Sequence, residues 1–286
     1  MELRFLPLIL TSAAFGLHLL GERTAVLVTG RPRSRTARLR ALSFYAGLAA
    51  VVIALIGPID SLALKLFWVH MVQHVLLLTV APPLIVLGRP WMSLWRPIPL
   101  RDRRRIARAL ARSPRLAPLR RTGGWLARPG VTFALFSIGL LAWHIPAAYD
   151  LALRSVAVHV VEHMTYLVTG IMLWAQVIAS PPLRLRLTGV QPALYMIAAM
   201  VVGWALSLVL AFATRPLYPV YAHLASRPGG ISALTDQQLA AGVMLVPGSI
   251  TMTVFIVISL YRWLGQTDGE ERARVARSSA QIDGAR

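Results

Sequence analysis

Seven apolar stretches, at about residues 3–21, 41–57, 66–88, 131–148, 156–179, 190–213 and 240–264, constrain this chain more than any other feature in it. A hydrocarbon layer about 30 Å thick is crossed by roughly 20 apolar helical residues. The chain therefore reads as an all-α integral membrane protein with seven transmembrane helices. Its composition agrees, because 56% of the residues are hydrophobic and only 14% are charged, outside the range of soluble globular proteins. The first stretch is ambiguous, since an apolar run after Arg4 followed by small residues also describes a signal peptide. Cleavage there would leave Arg31, Arg33, Arg35, Arg38 and Arg40 outside, so the stretch is counted as a span.

The net charge of +19 would suit nucleic acid in a soluble protein. In a multi-pass protein, arginine-rich loops instead mark the cytoplasmic side. Arginines crowd the segments 22–40, 89–130, 180–189 and the stretch from Arg262 onward, whereas the opposite side holds only Arg4, Lys65, Arg154, Arg215 and Arg227. This asymmetry sets the amino terminus outside and the carboxyl terminus in the cytoplasm, and it leaves no role for nucleic acid. Residues 1–265 form the membrane domain, and the polar segment 266–286 is expected to be a disordered cytoplasmic tail. Within the second inner loop, RDRRRIARALARSPRL from Arg101 suits either a basic helix on anionic headgroups or a plain solvated loop. Trp68, Trp91, Trp95, Trp143, Trp174 and Trp263 fall near span ends, where tryptophan anchors helices at the interface.

The orientation sorts the histidines. His70 and His74 begin the third span, His144 ends the fourth, His159 and His163 begin the fifth, and His223 lies in an outer loop; only His18 is near the inner side, where a structural role suffices. Residues four apart share a helix face, so HMVQH and HVVEH can each aim two imidazoles at one point. Without cysteine, any metal must be held by histidine, methionine, carboxylate or backbone oxygen. Imidazole suits copper, zinc and iron, and thioether sulfur favours Cu(I). Met71, Met164, Met244 and Met252 are the nearby methionines, each equally suited to filling a core. Asp60, Asp150, Glu162 and Asp236 fall at the same rim and can orient ring N–H groups from behind.

Other classes fit less well. HVVEH has the H-x-x-E-H spacing of one class of zinc peptidase, with Glu162 as base for a metal-bound water. HMVQH has Gln73 at the equivalent place, which leaves its own histidines without a purpose in that reading. A haem-binding membrane cytochrome needs only one histidine per helix. A copper transporter needs ligands leading to the inner side, where His18 stands alone. A retinal protein needs a lysine within a span, and the sole lysine, Lys65, lies at an outer loop.

Four ordered blocks carry a family resemblance: HMVQHVLLLTVAPPLIVLGRP from His70, WHIPAAYDLAL from Trp143, HVVEHMTYLVTGIMLW from His159 and DQQLAAGVMLVPGSI from Asp236. Together they resemble the multi-pass CtaG family of bacterial cytochrome c oxidase assembly factors, linked to the caa-type enzyme, over about residues 40–264. The resemblance implies a non-enzymatic protein of the bacterial plasma membrane. Such a protein takes copper, as Cu(I), from an extracytoplasmic donor and supplies it to the catalytic subunit of the haem-copper oxidase. It marks His70, His74, His144, His159 and His163, with Asp150 and Asp236 beside them. The last block departs from the family pattern, with Leu245 and Val246 in place of a methionine-tryptophan pair, which bears on any copper role for Met244.

Overall fold

A computed structural model describes residues 5–283, with side chains described through Gly265. Every regular element among the described residues is helical. In chain order they are α1 (Leu6–Thr29), α2 (Arg35–Leu55), α3 (Pro58–Ala63), α4 (Phe67–Val75), α5 (Ala81–Gly88), α6 (Trp91–Trp95), α7 (Leu100–Arg112), α8 (Ala117–Leu126), α9 (Pro129–Trp143), α10 (Pro146–Arg154), α11 (Val156–Trp174), α12 (Gln191–Phe212), α13 (Pro219–Ala222), α14 (Ala233–Leu245) and α15 (Pro247–Asp283). Five segments are long and apolar enough to cross a membrane: Arg35–Leu55, Phe67–Gly88, Val156–Trp174, Gln191–Phe212 and Ala233–Gly265. A sixth results if Pro114–Leu126 and Pro129–Trp143, bent by 73°, are taken together. The first expected span corresponds to α1, which is not among them; it carries His18, Glu22 and Arg23 within its length. The tail expected from residue 266 lies where only the backbone of α15 is described.

Phe67–Gly88 is the innermost of these segments and is not a regular α-helix. Between α4 and α5, Leu76–Val80 forms a π-helical turn, the kind of local widening that clusters at functional sites. Pro82 and Pro83 follow at once. Proline has no N–H, so Pro82 leaves the carbonyl of Leu78 without its partner four residues on. In an apolar interior an unpaired carbonyl is costly. Here the indole N–H of Trp174 donates to it at 3.1 Å. Trp174 is 1% exposed, which corrects its expected place at the membrane interface: hydropathy located a span end, but the ring turns inward to repair a neighbouring helix. Further along, Ser43 Oγ donates to Leu84 O at 2.8 Å and Ser180 Oγ to Val86 O at 2.9 Å, and Trp91 Nε1 donates to Ser180 Oγ at 2.8 Å.

Close approach of α2 and α5 depends on small residues. A Cβ built on Gly88 would lie 2.9 Å from the Cα of Phe44, and one on Gly47 3.0 Å from the backbone nitrogen of Ile85. Small residues let helix backbones meet where lipid offers no hydrophobic drive between helices. On the other side, Gly170 of α11 fits against Pro82, whose Cγ would be 2.8 Å from an added Cβ. The broken segment is thus held by α2 and α11. Asp236 of α14 holds its first turn, where its two carboxylate oxygens accept the N–H groups of Phe67 at 2.9 Å and Trp68 at 3.0 Å. These are first-turn donors that α4 cannot satisfy itself, and a carboxylate there also suits the helix dipole.

Replacing Trp174 by Phe leaves the ring volume nearly filled but strands the carbonyl of Leu78. The expected cost is about 1–3 kcal/mol, read as a lower Tm for the purified full chain in detergent. Gly203→Ala, with nothing within 4 Å of its added Cβ, should leave Tm unchanged.

Candidate metal centre

The first turn of α4, the end of α9 and the first turns of α11 meet at one end of the bundle. His70 and His74 project from α4, His159 and His163 from α11, and His144 caps α9 just before Pro146 ends that helix. All five imidazoles come together. Ring centroids lie 4.4 Å apart for His70 and His74, 4.2 Å for His159 and His163, 5.2 Å for His70 and His159, and 5.8 Å for His74 and His144. His70 is 0% exposed, His74 2%, and His144 and His163 each 5%. His159 is half-buried and forms the mouth of the group.

Glu162 enters this cluster directly. Its carboxylate is 0% exposed and lies 3.4 Å from His74 Nε2 and 3.9 Å from His70 Nε2. Ligand atoms from His70, His159, Glu162 and His163 all fall within 4.8 Å of one another. The donors of one tetrahedral ion with bonds of about 2.0–2.3 Å are roughly 3.3–3.8 Å apart. A small inward shift of side chains would therefore complete such a set. Gln73, the counterpart of Glu162 in the other motif, faces away and donates to Ala54 O at 2.6 Å.

The hydrogen-bond network assigns tautomers. Tyr221 Oη donates to Ala63 O at 2.6 Å, because a carbonyl can only accept. Its oxygen is then the acceptor for His70 Nδ1–H at 3.1 Å, which leaves a lone pair on His70 Nε2. Burial pushes the phenols of Tyr218 and Tyr221, both outside the spanning helices, above their ordinary range, so each keeps its proton as a donor. His144 Nδ1–H donates to Leu140 O at 2.8 Å, so its Nε2 also carries a lone pair; that atom faces the sulfur of Met71 at 3.4 Å. Neither atom offers the other a proton. The buried Nε2 atoms of His70, His74, His159 and His163 and both oxygens of Glu162 have no hydrogen-bond partner among the described residues. Six buried polar atoms without partners in one place are unusual in a folded protein, and a cation held by the carboxylate and the unprotonated ring nitrogens satisfies them together.

The remaining sequence candidates fall elsewhere. Asp60, Asp150 and Asp236 hydrogen-bond groups other than the imidazoles, and Asp60 is also close enough to His159 for its charge to act there. Asp236 caps α4 and lies 4.0 Å from Arg227 Nε, Asp60 accepts from Gln73 Nε2 at 3.4 Å, and Asp150 accepts from Val220 N at 3.5 Å. They tie chain segments together around the cluster, and the ring-orienting work falls to Tyr221 and the carbonyl of Leu140. Of the methionines, Met71 adjoins His144; Met164 lines a groove with Val160 and Val161 on the outer side of α11. Met244 and Met252 line a small apolar cavity of about 50 Å³ beside His74. His223 is exposed at the end of α13, and His18 is buried at the opposite end of the bundle, with Nδ1 3.0 Å from Tyr45 Oη.

Sequence reasoning missed the tyrosines. Tyr149 and Tyr166 pack their rings against His70 and His74 at 5.1 and 4.5 Å, and Tyr218 Oη donates to His144 O at 3.0 Å. Tyr166 could have been found, because it lies three residues after His163 and shares its face. Tyr218 and Tyr221 sit in a proline-rich loop without periodicity.

Residues 24–266 match the family described as cytochrome c oxidase caa3 assembly factor (Caa3_CtaG). The chain belongs to this family. No curated protein and no solved structure is significantly similar to it. As a caa3 assembly factor it acts on an oxidase, and its apolar helices make it a membrane protein. All four ordered sequence blocks lie within the matched region, and three of them supply the clustered histidines.

Tyr221→Phe removes the acceptor of His70 Nδ1–H and frees that ring to turn. Loss of such a supporting hydrogen bond typically costs 10- to 100-fold in metal affinity. Competition titration of a bound metal ion with a chelator should show a loss in this range for Tyr221→Phe and none for His18→Gln at the other end.

Proposed function

We propose that this assembly factor carries copper for the caa3 oxidase. Cu(I) from an extracytoplasmic donor is captured by His70, His74, His159 and His163, moves to His144, and passes by ligand exchange to the histidines of the oxidase catalytic subunit. The observation that carries this reading is the set of buried ring nitrogens of His70, His74, His159 and His163 and carboxylate oxygens of Glu162, close together and without hydrogen-bond partners among the described residues. The half-buried His159 gives the point of entry. His144 Nε2 and Met71 Sδ, 3.4 Å apart, form a nitrogen and sulfur pair suited to the monovalent ion. Neutral imidazoles cost less to keep in a membrane than charges. Ligating imidazoles must also be unprotonated, so acid releases the ion. In this reading the chain spans a bacterial plasma membrane seven times, with the cluster on the outer side; the short α9 and the polar end of α1 count as spans completed by their neighbours.

The haem reading finds less support. Ring centroids 4.2 to 5.9 Å apart leave no slot for a macrocycle among the histidines, and the cavity beside His74, at about 50 Å³, is far below the 300–1,000 Å³ of ordinary cofactor sites. For a transporter, His18 is the one histidine at the far end, and its Nδ1 is engaged by Tyr45.

Purified protein should contain about one copper per chain by elemental analysis, and His70→Ala/His159→Ala should abolish it. A strain carrying that double variant should assemble oxidase with a copper-poor catalytic subunit, restored in part by added copper. Unchanged copper in the purified variant would sink the assignment, and stoichiometric zinc in its place would move the site to a different metal.

A further inference from the structure

At the end of the bundle away from the histidines, a cavity of about 450 Å³ opens between the end of α1, the start of α2 and the α5–α6 junction. Arg31, Arg33, Arg40, Arg89 and Arg96 line it, with Glu22 as the carboxylate among them. That carboxylate is already committed: Ser93 Oγ donates to it, and it lies 2.9 Å from Arg33 and 3.5 Å from Arg96. Arg31, Arg40 and Arg89 have no ion-pair partner among the described residues. Arg89 also sits at φ +49°, a left-handed conformation that a Cβ disfavours. It directs this arginine into the cavity from the end of α5.

Beside it lies a second space of about 420 Å³, which shares Glu22, Val26 and Arg33 and is otherwise bounded by Arg23 and by Leu19 and Leu27 of α1. Leu27 is 83% exposed. A guanidinium-lined pocket at a helix end, with a groove beside it along which Leu19, Val26 and Leu27 of the same helix lie, matches the two parts of a lipid. Guanidinium groups bind phosphate through paired N–H donors, and basic pockets between membrane helices hold anionic headgroups.

We propose that this cavity is a binding site for an anionic phospholipid, with the phosphate held by Arg31, Arg40 and Arg89 and an acyl chain laid along Leu19, Val26 and Leu27. A free phosphate would use the arginines but not the groove. Diffuse attraction to a charged membrane surface would use the exposed arginines of α7 equally well. The site lies apart from the histidine cluster and stands whether or not that cluster carries copper.

The full chain, purified and placed in nanodiscs of phosphatidylcholine, can be titrated with phosphatidylglycerol and followed by native mass spectrometry and by Tm. Wild type should retain phosphatidylglycerol and gain Tm, with inorganic phosphate at the same concentration having no effect. Arg31→Gln/Arg40→Gln/Arg89→Gln should weaken retention roughly 10- to 100-fold. Arg104→Gln/Arg105→Gln/Arg108→Gln, which removes the same charge from α7, should leave it within about twofold. Equal losses in the two variants, or displacement of the lipid by inorganic phosphate, would overturn the proposal. Should the cavity variant fold poorly, photoactivatable phosphatidylglycerol on wild type gives the same decision: labelling within residues 19–33 supports the site, and labelling confined to 100–126 refutes it.

Discussion

The central helical segment cannot close its own backbone hydrogen bonds, and most of the fold follows from how its neighbours close them. Asp236 supplies acceptors for the first turn, Trp174 a donor for the carbonyl that Pro82 strands, and Ser43 and Ser180 donors for the last turn. Each repair comes from a different part of the chain, so α2, α11, α14 and the segment after α11 are all fixed relative to one element. In water such gaps would be filled by solvent at little cost. In an apolar interior each gap unfilled costs as much as several good packing contacts. The same segment carries His70 and His74, so the accounting that holds the bundle also sets the depth and direction of the two imidazoles.

The histidine pairs were legible because the rule that reveals them is local. Spacing of four on a helix fixes a shared face without knowledge of the partner, and charge asymmetry in the loops put both pairs at one end. Glu162 was legible only as a rim acid; that it would point among the rings, while Gln73 turned to Ala54, depends on which neighbour each helix faces. Asp236 reads in sequence as one more rim carboxylate, and only the approach of α14 to α4 makes it a cap. Trp174 shows the reverse failure, since a hydropathy profile locates the end of a span but is blind to a carbonyl left open in another helix. The tyrosines of the loop before α14 carry no periodic signal at all. What stayed hidden was a contact between separate helices, across more than sixty residues of sequence in every case but that of Gln73 and Ala54.

The difference between HVVEH and HMVQH also acquires a physical meaning. Two acids in one buried cluster would repel and demand more compensating charge than a monovalent ion brings. One acid and one amide allow a single carboxylate to face the imidazoles, while the amide takes a structural bond to α2. The two motifs are alike in what they aim at the centre and unlike in what they use to hold themselves there.

Donor chemistry changes across the cluster in a direction that suits transfer. Around the half-buried His159 are His163, His70 and the carboxylate of Glu162, a nitrogen and oxygen set that tolerates several divalent metals as well as copper. On the other side of the cluster His74 adjoins His144, and His144 faces the thioether of Met71, a softer set with no carboxylate. Glu162 lies between them, within reach of both His70 and His74. An ion that prefers soft ligands gains by moving to the side of His144 and Met71, whereas one that prefers oxygen gains by staying beside Glu162. Selectivity in such a site need not come from affinity at any single position, because discrimination between metals of similar affinity is obtained from geometry and ligand type. A cluster of five imidazoles with one acid and one thioether is larger than a single ion requires, and in the proposed copper-carrying role that excess serves passage from one set of donors to the next.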